Sequence, residues 1–356
     1  MEFIKILKSG ERHKLRKYRI YKDFLSDYLK NKKRLLYVWK IHKKGFTVED
    51  WEICRLNKSI YKNYLSSKKY ASIHPINGYY SKIIDDKLGI KYLFSGTDLK
   101  SIMPEYYFII DEDGIISGMM DLKRRKDKFD IQDVIELLKE KNELALKLLT
   151  GSLGKGFYRL SLENDNICVN GKPMTPKDFD KFIQECRNYA IMEYLRPHPE
   201  LAKYWSSTSN TIRYLTGKVN GEWRMIKSYI RFGSNVSGEV ENFARGGVLC
   251  YLSENGEFSE GLILKKGKPQ DISTHPDNGV KLMGKIPEWN KILDVSKKIQ
   301  KFLPMTKYMG YDFVVTDKQE VKLLEINSLT SLDGLQMKGS ILETENGKWF
   351  FKSLLN

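Results

Sequence analysis

The chain has 356 residues, 41% hydrophobic and 12% aromatic, which is enough to bury a sizeable core and too apolar for wholesale disorder. Its net charge of +16 is unevenly placed: residues 1–70 hold 20 Lys and Arg against 7 Asp and Glu, and the remainder 41 against 38. The basic excess is therefore N-terminal, which argues against a nucleic-acid binder throughout and leaves an arm able to meet an acidic partner. No apolar run reaches bilayer length, and the opening MEFIKILKSGERHK lacks a secretory core. Four scattered cysteines (Cys54, Cys168, Cys186, Cys250) form no C-x-x-C pair, so a cytoplasmic location is expected.

In chain order, residues 1–75 are expected to form a basic helical region. Tyr21, Phe24, Leu25 and Tyr28 are spaced as one amphipathic face. Thr47, followed by Glu49 and Asp50, predicts the start of another helix. Basic residues interleaved with aromatics suit an anionic membrane surface or an acidic polymer. The plainer reading is a solvated helix that packs its aromatics on the next domain. Lys87, after two acids, opens a helix-like stretch and by itself is an ordinary surface lysine. Tyr106–Ile110 reads as a strand, and Ile131, Val134, Ile135 and Leu138 mark a helix that Asp130 can cap.

The stretch Glu143–Leu160, ELALKLLTGSLGKGFYRL, carries more information. Leu144, Leu146 and Leu148 alternate along a short strand, and Lys147 stands among leucines, an odd place for a charge unless an anion lies opposite. The loop that follows, Gly151-Ser152-Leu153-Gly154-Lys155-Gly156, lets backbone N–H groups approach phosphate oxygens. Its spacing is not that of a P-loop, and a strand follows it where a P-loop has a helix. A plain hairpin connection is the competing reading. Thr175-Pro176 starts a helix, and the strand Tyr189–Leu195 carries Glu193 in an apolar setting.

From Asn210 onward antiparallel sheet is expected. Strands 211–216 and 223–231 flank an Asn220-Gly221 turn, and strands 247–252 and 257–264 flank another at Glu254–Gly256. Arg213 and Arg231 lie in these strands; Asn242 sits in a tight polar loop, and His275 in a turn where a lone histidine is more often structural. Then comes Tyr308–Asn327, YMGYDFVVTDKQEVKLLEIN, read as two strands joined at Asp317-Lys318-Gln319. Glu325 and Asn327 share a face, and folding the hairpin lets Asp312 join them. Three oxygen donors on a largely apolar hairpin are costly to bury uncompensated, and hard oxygens of this kind suit Mg²⁺. A half-exposed strand pair with its acids in water remains the alternative.

Taken in order, seven segments between Asn77 and Gln336 resemble the ATP-grasp superfamily, and most closely its sugar-transfer-associated branch of bacterial polysaccharide gene clusters. They are DDKLGIKYLF (85–94), LKLLTGSLGKGF (146–157), MEYLRPHPELAKYWSSTSNTIRYLT (192–216), RFG…ENFARGGV (231–248), STHPDNG…GKIPEW (273–289), MGYDFVV (309–315) and LLEIN (323–327). The resemblance implies an α+β, ATP-grasp fold: residues 76–195 as a small subdomain with the Gly-rich flap, and 196–356 as a large one with a metal site. By the same resemblance, Lys87 and Lys147 contact phosphates, residues 151–156 form the flap, and Glu193 and Leu195 form the nucleotide hinge. Asp312, Glu325 and Asn327 are then the magnesium ligands, and Arg213, Arg231, Asn242 and His275 further site residues. Leu148 follows Lys147 where many relatives have proline, and Asp312 stands where glutamate is commoner; neither change removes a needed chemical group.

The implied chemistry uses ATP and Mg²⁺ to turn a substrate carboxylate into an acyl phosphate, which an amine, thiol or hydroxyl then attacks. The family's genomic association points to a sugar-linked carboxylate or acceptor in cell-surface polysaccharide work, and no nucleic acid is expected. Two other readings stand beside the ligase: a phosphotransferase on the same fold, and a non-catalytic nucleotide-binding module recruited through residues 1–70.

Overall fold

The computed structural model describes residues 16–149, 156–238, 240–265 and 267–355. Its N-terminal part is helical: α1 (Arg16–Lys30), α2 (Leu35–His42), α3 (Val48–Ile53) and α4 (Ser67–Ile73). Thr47 and Ser66 cap α3 and α4, their side-chain oxygens accepting from the N–H groups of Asp50 and Lys69. Phe24 and Tyr28 pack on the His42 ring, and His42 Nε2 meets Asp27 Oδ2 at 3.0 Å. The apolar face expected on α1 is therefore narrower than its spacing implies. Phe24 and Tyr28 flank the buried Asp27, whereas Leu25 projects into solvent.

After α5 (Tyr80–Asp85) and α6 (Lys87–Ser95) comes a first sheet. It comprises β1 (Tyr106–Ile110), β2 (Ile116–Gly118), β3 (Glu143–Leu148), β4 (Phe157–Glu163), β5 (Asn166–Val169), β6 (Lys172–Met174) and β7 (Tyr189–Glu193). The order is β2-β1-β7-β3-β4-β5-β6, and every neighbouring pair is antiparallel. Helices α7 (Ile131–Lys141) and α8 (Pro176–Glu185) cover one face, burying Val134, Leu138, Phe179 and Ile183 against Leu144, Leu146 and Ile191. Asp130 begins α7 with a capping box, and Thr175 with Pro176 begins α8.

Past the short α9 (Pro199–Ala202) lies the second sheet: β8 (Ile212–Val219), β9 (Glu222–Phe232), β10 (Val248–Tyr251), β12 (Gly261–Lys265), β13 (Lys268–Ile272), β15 (Tyr308–Val315) and β16 (Val321–Asn327). Its order is β13-β12-β10-β9-β8-β15-β16. Asn220 and Gly221 both take positive φ at the β8–β9 turn, as a primed hairpin turn requires. The single strand expected over 257–264 is in fact divided. β11 (Glu257–Phe258) leaves the sheet to pair with β14 (Gly284–Lys285), because Phe258 turns into the core beside Tyr204 and Phe232. Helix α10 (Trp289–Phe302) lies under this sheet, and α11 (Leu332–Gln336) and α12 (Glu345–Leu355) close the described chain.

The packing does not divide at residue 75, since segments on both sides of it join the second sheet. α5 and α6 bury Ile84, Ile90 and Phe94 with Tyr311, Phe313 and Leu323 of the second sheet, because the outer face of that sheet is apolar and needs a cover. Leu65 and Tyr70 likewise join Leu215, Tyr308, Leu335 and Phe350. Gln336 locks this contact, donating Nε2 to the Leu65 carbonyl and accepting the Leu65 N–H on Oε1, both at 3.0 Å. Gln336→Ala leaves both buried backbone groups without partners and is expected to cost about 1–3 kcal/mol in urea unfolding. The same variant should speed proteolysis of the 57–66 segment under native conditions.

Candidate active site

A cavity of about 980 Å³ is lined from three sides: β3 and β7 of the first sheet, β8, β9, β15 and β16 of the second, and the N-terminal helices. Strand alternation puts Lys147 there. Leu144 and Leu146 point into the core under α7 and α8, so Ala145 and Lys147 face the other way. Gly156, the last residue of the Gly-rich loop, is held at φ +69°. A Cβ there would meet Leu148 Cβ and Tyr189 Oη at 2.8 Å each, so the return of the loop into β4 requires glycine. Gly151, Ser152, Gly154 and Lys155 lie outside the described residues.

The carboxylates arrive by a device the sequence pattern does not display. Counting evenly back from the Val315–Val321 pair would set Leu324 opposite Asp312 and turn Glu325 toward the core. Instead a bulge lets Phe313 pair with Leu323 and Asp312 with Glu325. Cross-strand partners share a face, so the extra residue delivers Glu325 to the cavity beside Asp312, with Leu323 and Ile326 kept in the core. Asn327 follows on the same side and donates Nδ2 to Glu325 Oε1 at 3.3 Å.

Each carboxylate has a cation. Arg213, the cross-strand partner of Asp312 on β8, donates Nε to Oδ1 at 2.5 Å and Nη2 to Oδ2 at 2.9 Å. Arg231 Nη2 adds a contact to Oδ2 at 3.4 Å, while its buried Nε has no partner among the described residues. Gly310 makes room for this: a Cβ there would come within 2.5 Å of Thr330 Oγ1 and 3.5 Å of Arg213 Cδ. Lys87 Nζ reaches Glu325 Oε2 at 3.2 Å from the first position of α6, whose N-cap is Asp86. Burial alone would raise the Glu325 carboxyl pKa, but Lys147, Lys87 and Arg213 outweigh it and hold that pKa well below the usual carboxylate range. Burial lowers the Lys147 ammonium pKa, and Glu325 only partly restores it.

Other expected site residues are more dispersed. Glu193 and Leu195 line the cavity; Glu193 Oε2 accepts the Glu105 N–H at 3.2 Å. Asn242 also lines it, but its Oδ1 is taken by the Ala244 N–H in a short turn. His275 must be removed from the site. It is buried under Gly233, whose carbonyl it contacts through Nε2 at 2.9 Å, and it stacks on Trp205, so it braces a turn and does not line the cavity.

Sequence reasoning missed the opposite wall. Asp23, Glu49 and Asp50 from α1 and α3, with Asp333 from α11, face the cavity from the helical side. Asp50 Oδ2 accepts from Ser67 Oγ at 2.5 Å and Thr47 Oγ1 at 2.9 Å, and burial foremost, with Asp333 and Glu49 nearby, lifts its pKa to about 7. The only sequence signal was the Thr47–Asp50 cap, which reads as helix chemistry.

Two outcomes follow from this electrostatic arrangement. Arg213→Ala leaves Asp312 buried and unpaired on its inner side and should cost about 3–5 kcal/mol in urea unfolding, with Asp312→Asn in the same chain recovering part of the loss. Because folding raises the Asp50 pKa from 3.8 to about 7, the folded chain binds more protons than the unfolded one in that window, and stability falls as pH rises through it. Asp50→Asn should therefore raise Tm at pH 8, with a gain that shrinks toward zero near pH 4 in differential scanning fluorimetry.

The sugar-transfer associated ATP-grasp family matches residues 69–346. No curated protein matches the sequence. Among solved structures, the ATP-grasp ligase PsnB complexed with minimal precursor is 10% identical, covering 78% of this chain and 62% of its own, with a TM-score of 0.41. D-alanyl-alanine synthetase A from Vibrio cholerae is 13% identical over 78% of this chain and 65% of its own (TM-score 0.42). The L-amino acid ligase from Bacillus licheniformis is 7% identical over 77% and 48% (TM-score 0.38). The chain thus spans less than two thirds of the length of these ligases. With the family matched over most of its length, the chain belongs to the sugar-transfer associated ATP-grasp family and has the α+β, ATP-grasp fold.

Proposed function

We propose that the protein is an ATP-dependent, ADP-forming ligase that activates a substrate carboxylate as an acyl phosphate and passes the acyl group to an amine. The observation that carries this reading is the Asp312–Glu325 pair, set side by side by the bulge and faced by Lys87, Lys147, Arg213 and Arg231 in one cavity. Two carboxylates and the Asn327 amide are a hard-oxygen set that fits Mg²⁺, which takes few protein carboxylates and completes its shell with water and phosphate oxygens. Bound there, the ion would supply charge neutralisation at the β- and γ-phosphates.

The chain's own groups do the rest. Lys147 holds phosphate oxygens from the first sheet and Lys87 from α6 beside the second, and Glu193 with the Leu195 backbone holds the adenine. The substrate carboxylate oxygen attacks the γ-phosphorus, ADP leaves, and the amine adds to the acyl carbon as phosphate departs. The unpartnered Arg231 Nε, beside the Arg213–Asp312 pair, suits the oxyanion formed at that carbon. The wall of Asp23, Glu49, Asp50 and Asp333 favours an acceptor that carries a cationic amine over a neutral alcohol. Family association supports one sugar-linked substrate from cell-surface polysaccharide synthesis.

The test is release of ADP and free phosphate from Mg·ATP with a panel of sugar acids and amino sugars. Ligation gives phosphate in step with ADP only when carboxylate and amine are both present. Phosphate retained on product would assign a phosphotransferase, and no Mg·ATP binding by calorimetry would assign a non-catalytic module. Glu325→Gln should cut ADP release by roughly two orders of magnitude and also lower Tm, because it leaves Lys87 and Lys147 uncompensated; an active variant removes Glu325 from the site.

A further inference from the structure

We infer that the outer face of the α1–α2 hairpin is a docking surface for an anionic lipid bilayer. Leu25 is 63% exposed, Leu29 62%, Leu35 51%, Leu36 64% and Trp39 45%, so the large exposed apolar side chains concentrate in this hairpin. By helical spacing Leu25 and Leu29 lie opposite Asp27, which faces inward, and Leu36 lies opposite the buried Val38 and Ile41. Leu25 and Leu29 thus project from α1 away from Asp27, and Leu36 projects from α2 away from Val38 and Ile41.

The charge around this patch selects the occupant. Every exposed charged side chain from residue 22 to 43 is basic, including Lys22, Lys32, Lys33, Lys40 and Lys43, while Asp23 and Asp27 are turned into the cavity. Lys43 Nζ lies 3.8 Å over the Trp39 ring, which presents that indole and its cation together. A patch of leucine and tryptophan ringed by ammonium groups matches a layer with an apolar interior and an anionic surface. A soluble polyanion would meet the lysines but gain nothing from Leu25, Leu29 and Leu36. A second copy of the chain would bring the same positive ring against itself. Among the described residues no helix is long and apolar enough to cross a membrane, so the contact is peripheral. Because α1 lines the candidate active site with Asp23, Ser26 and Asp27 on its inner side, docking would hold the cavity within one helix diameter of the bilayer.

The experiment is co-sedimentation of the full chain with phosphatidylglycerol-containing vesicles and with pure phosphatidylcholine vesicles. Binding to the anionic vesicles is expected, weakened by added salt and reduced roughly tenfold or more by Lys32→Glu with Lys33→Glu, and equally by Leu29→Glu with Leu36→Glu. These side chains are exposed, so both variants should keep the wild-type Tm. Three results would overturn the assignment. They are absence of binding to either vesicle, binding to heparin that the lysine variants abolish and the leucine variants spare, or a dimer in solution that the leucine variants dissociate while vesicle binding is missing. None of these touches the ligase reading, which the ADP assay tests on the soluble chain.

Discussion

The cavity depends on the pairing of buried carboxylates with buried cations across neighbouring strands. An uncompensated carboxylate taken out of water costs several kcal/mol, so Asp312 and Glu325 can be held there only with opposite charge in direct contact. Arg213 meets that need for Asp312 from the adjacent strand, at the register position directly across the ladder. Lys87 meets it for Glu325 from a different layer, the first turn of α6. A lysine at a helix start is opposed by the helix dipole, so its position there is set by the carboxylate it faces. The two pairs tie β8, β15, β16 and α6 into one unit, and the β16 bulge is what lets both carboxylates belong to it.

Lys147 is the member of this group without a contact partner among the described residues; no acid lies within ion-pair distance of it. It is held among Ala145, Phe157 and Met192, its ammonium disfavoured by burial and by Lys87, and favoured by Glu325 and Asp312 at longer range. A cation of this kind gains more from an incoming anion than a solvated surface lysine would, because part of its desolvation precedes the ligand's arrival. Glu325 then has two roles: it pairs with Lys87 and offsets part of the burial of Lys147, and it presents an oxygen next to Asp312 and Asn327. Neutralising it would leave two lysines facing each other.

Much of this was legible in the sequence, and the rest was not for identifiable reasons. Lys147 stood out because a charge inside an alternating leucine strand violates the burial pattern, and the structure turns it to the cavity as that violation implies. The hairpin acids stood out for the same reason, yet their register did not, since a one-residue bulge leaves no mark in hydrophobic alternation. Lys87 looked ordinary because its partner is 238 positions away in sequence and no local pattern encodes such a pair. His275 was given a role by resemblance, but a histidine with a carbonyl on Nε2 and a tryptophan over its ring is already fully used by packing. Asp50 was hidden in plain view as part of a helix cap, because the Ser67 hydroxyl that completes its environment comes from a separate helix.

The charge balance of the cavity also limits what it can accept. Among its described lining residues, ten Asp and Glu stand against five Lys and Arg, although the chain as a whole is strongly basic. Four of those five cations gather around Asp312 and Glu325, so the acid excess lies toward the N-terminal helices. A triphosphate entering alone would be attracted to one end and repelled by the wall opposite, whereas a triphosphate already neutralised by divalent cations would meet neither penalty. The same segregation runs through α1 itself. Asp23 and Asp27 face inward, where they tune the cavity, and Lys22 and the lysines after its C-terminus face outward, where they do not. Along α1, cavity-facing acids and the outward Lys22 share one helix, a division that the net charge of the segment does not show.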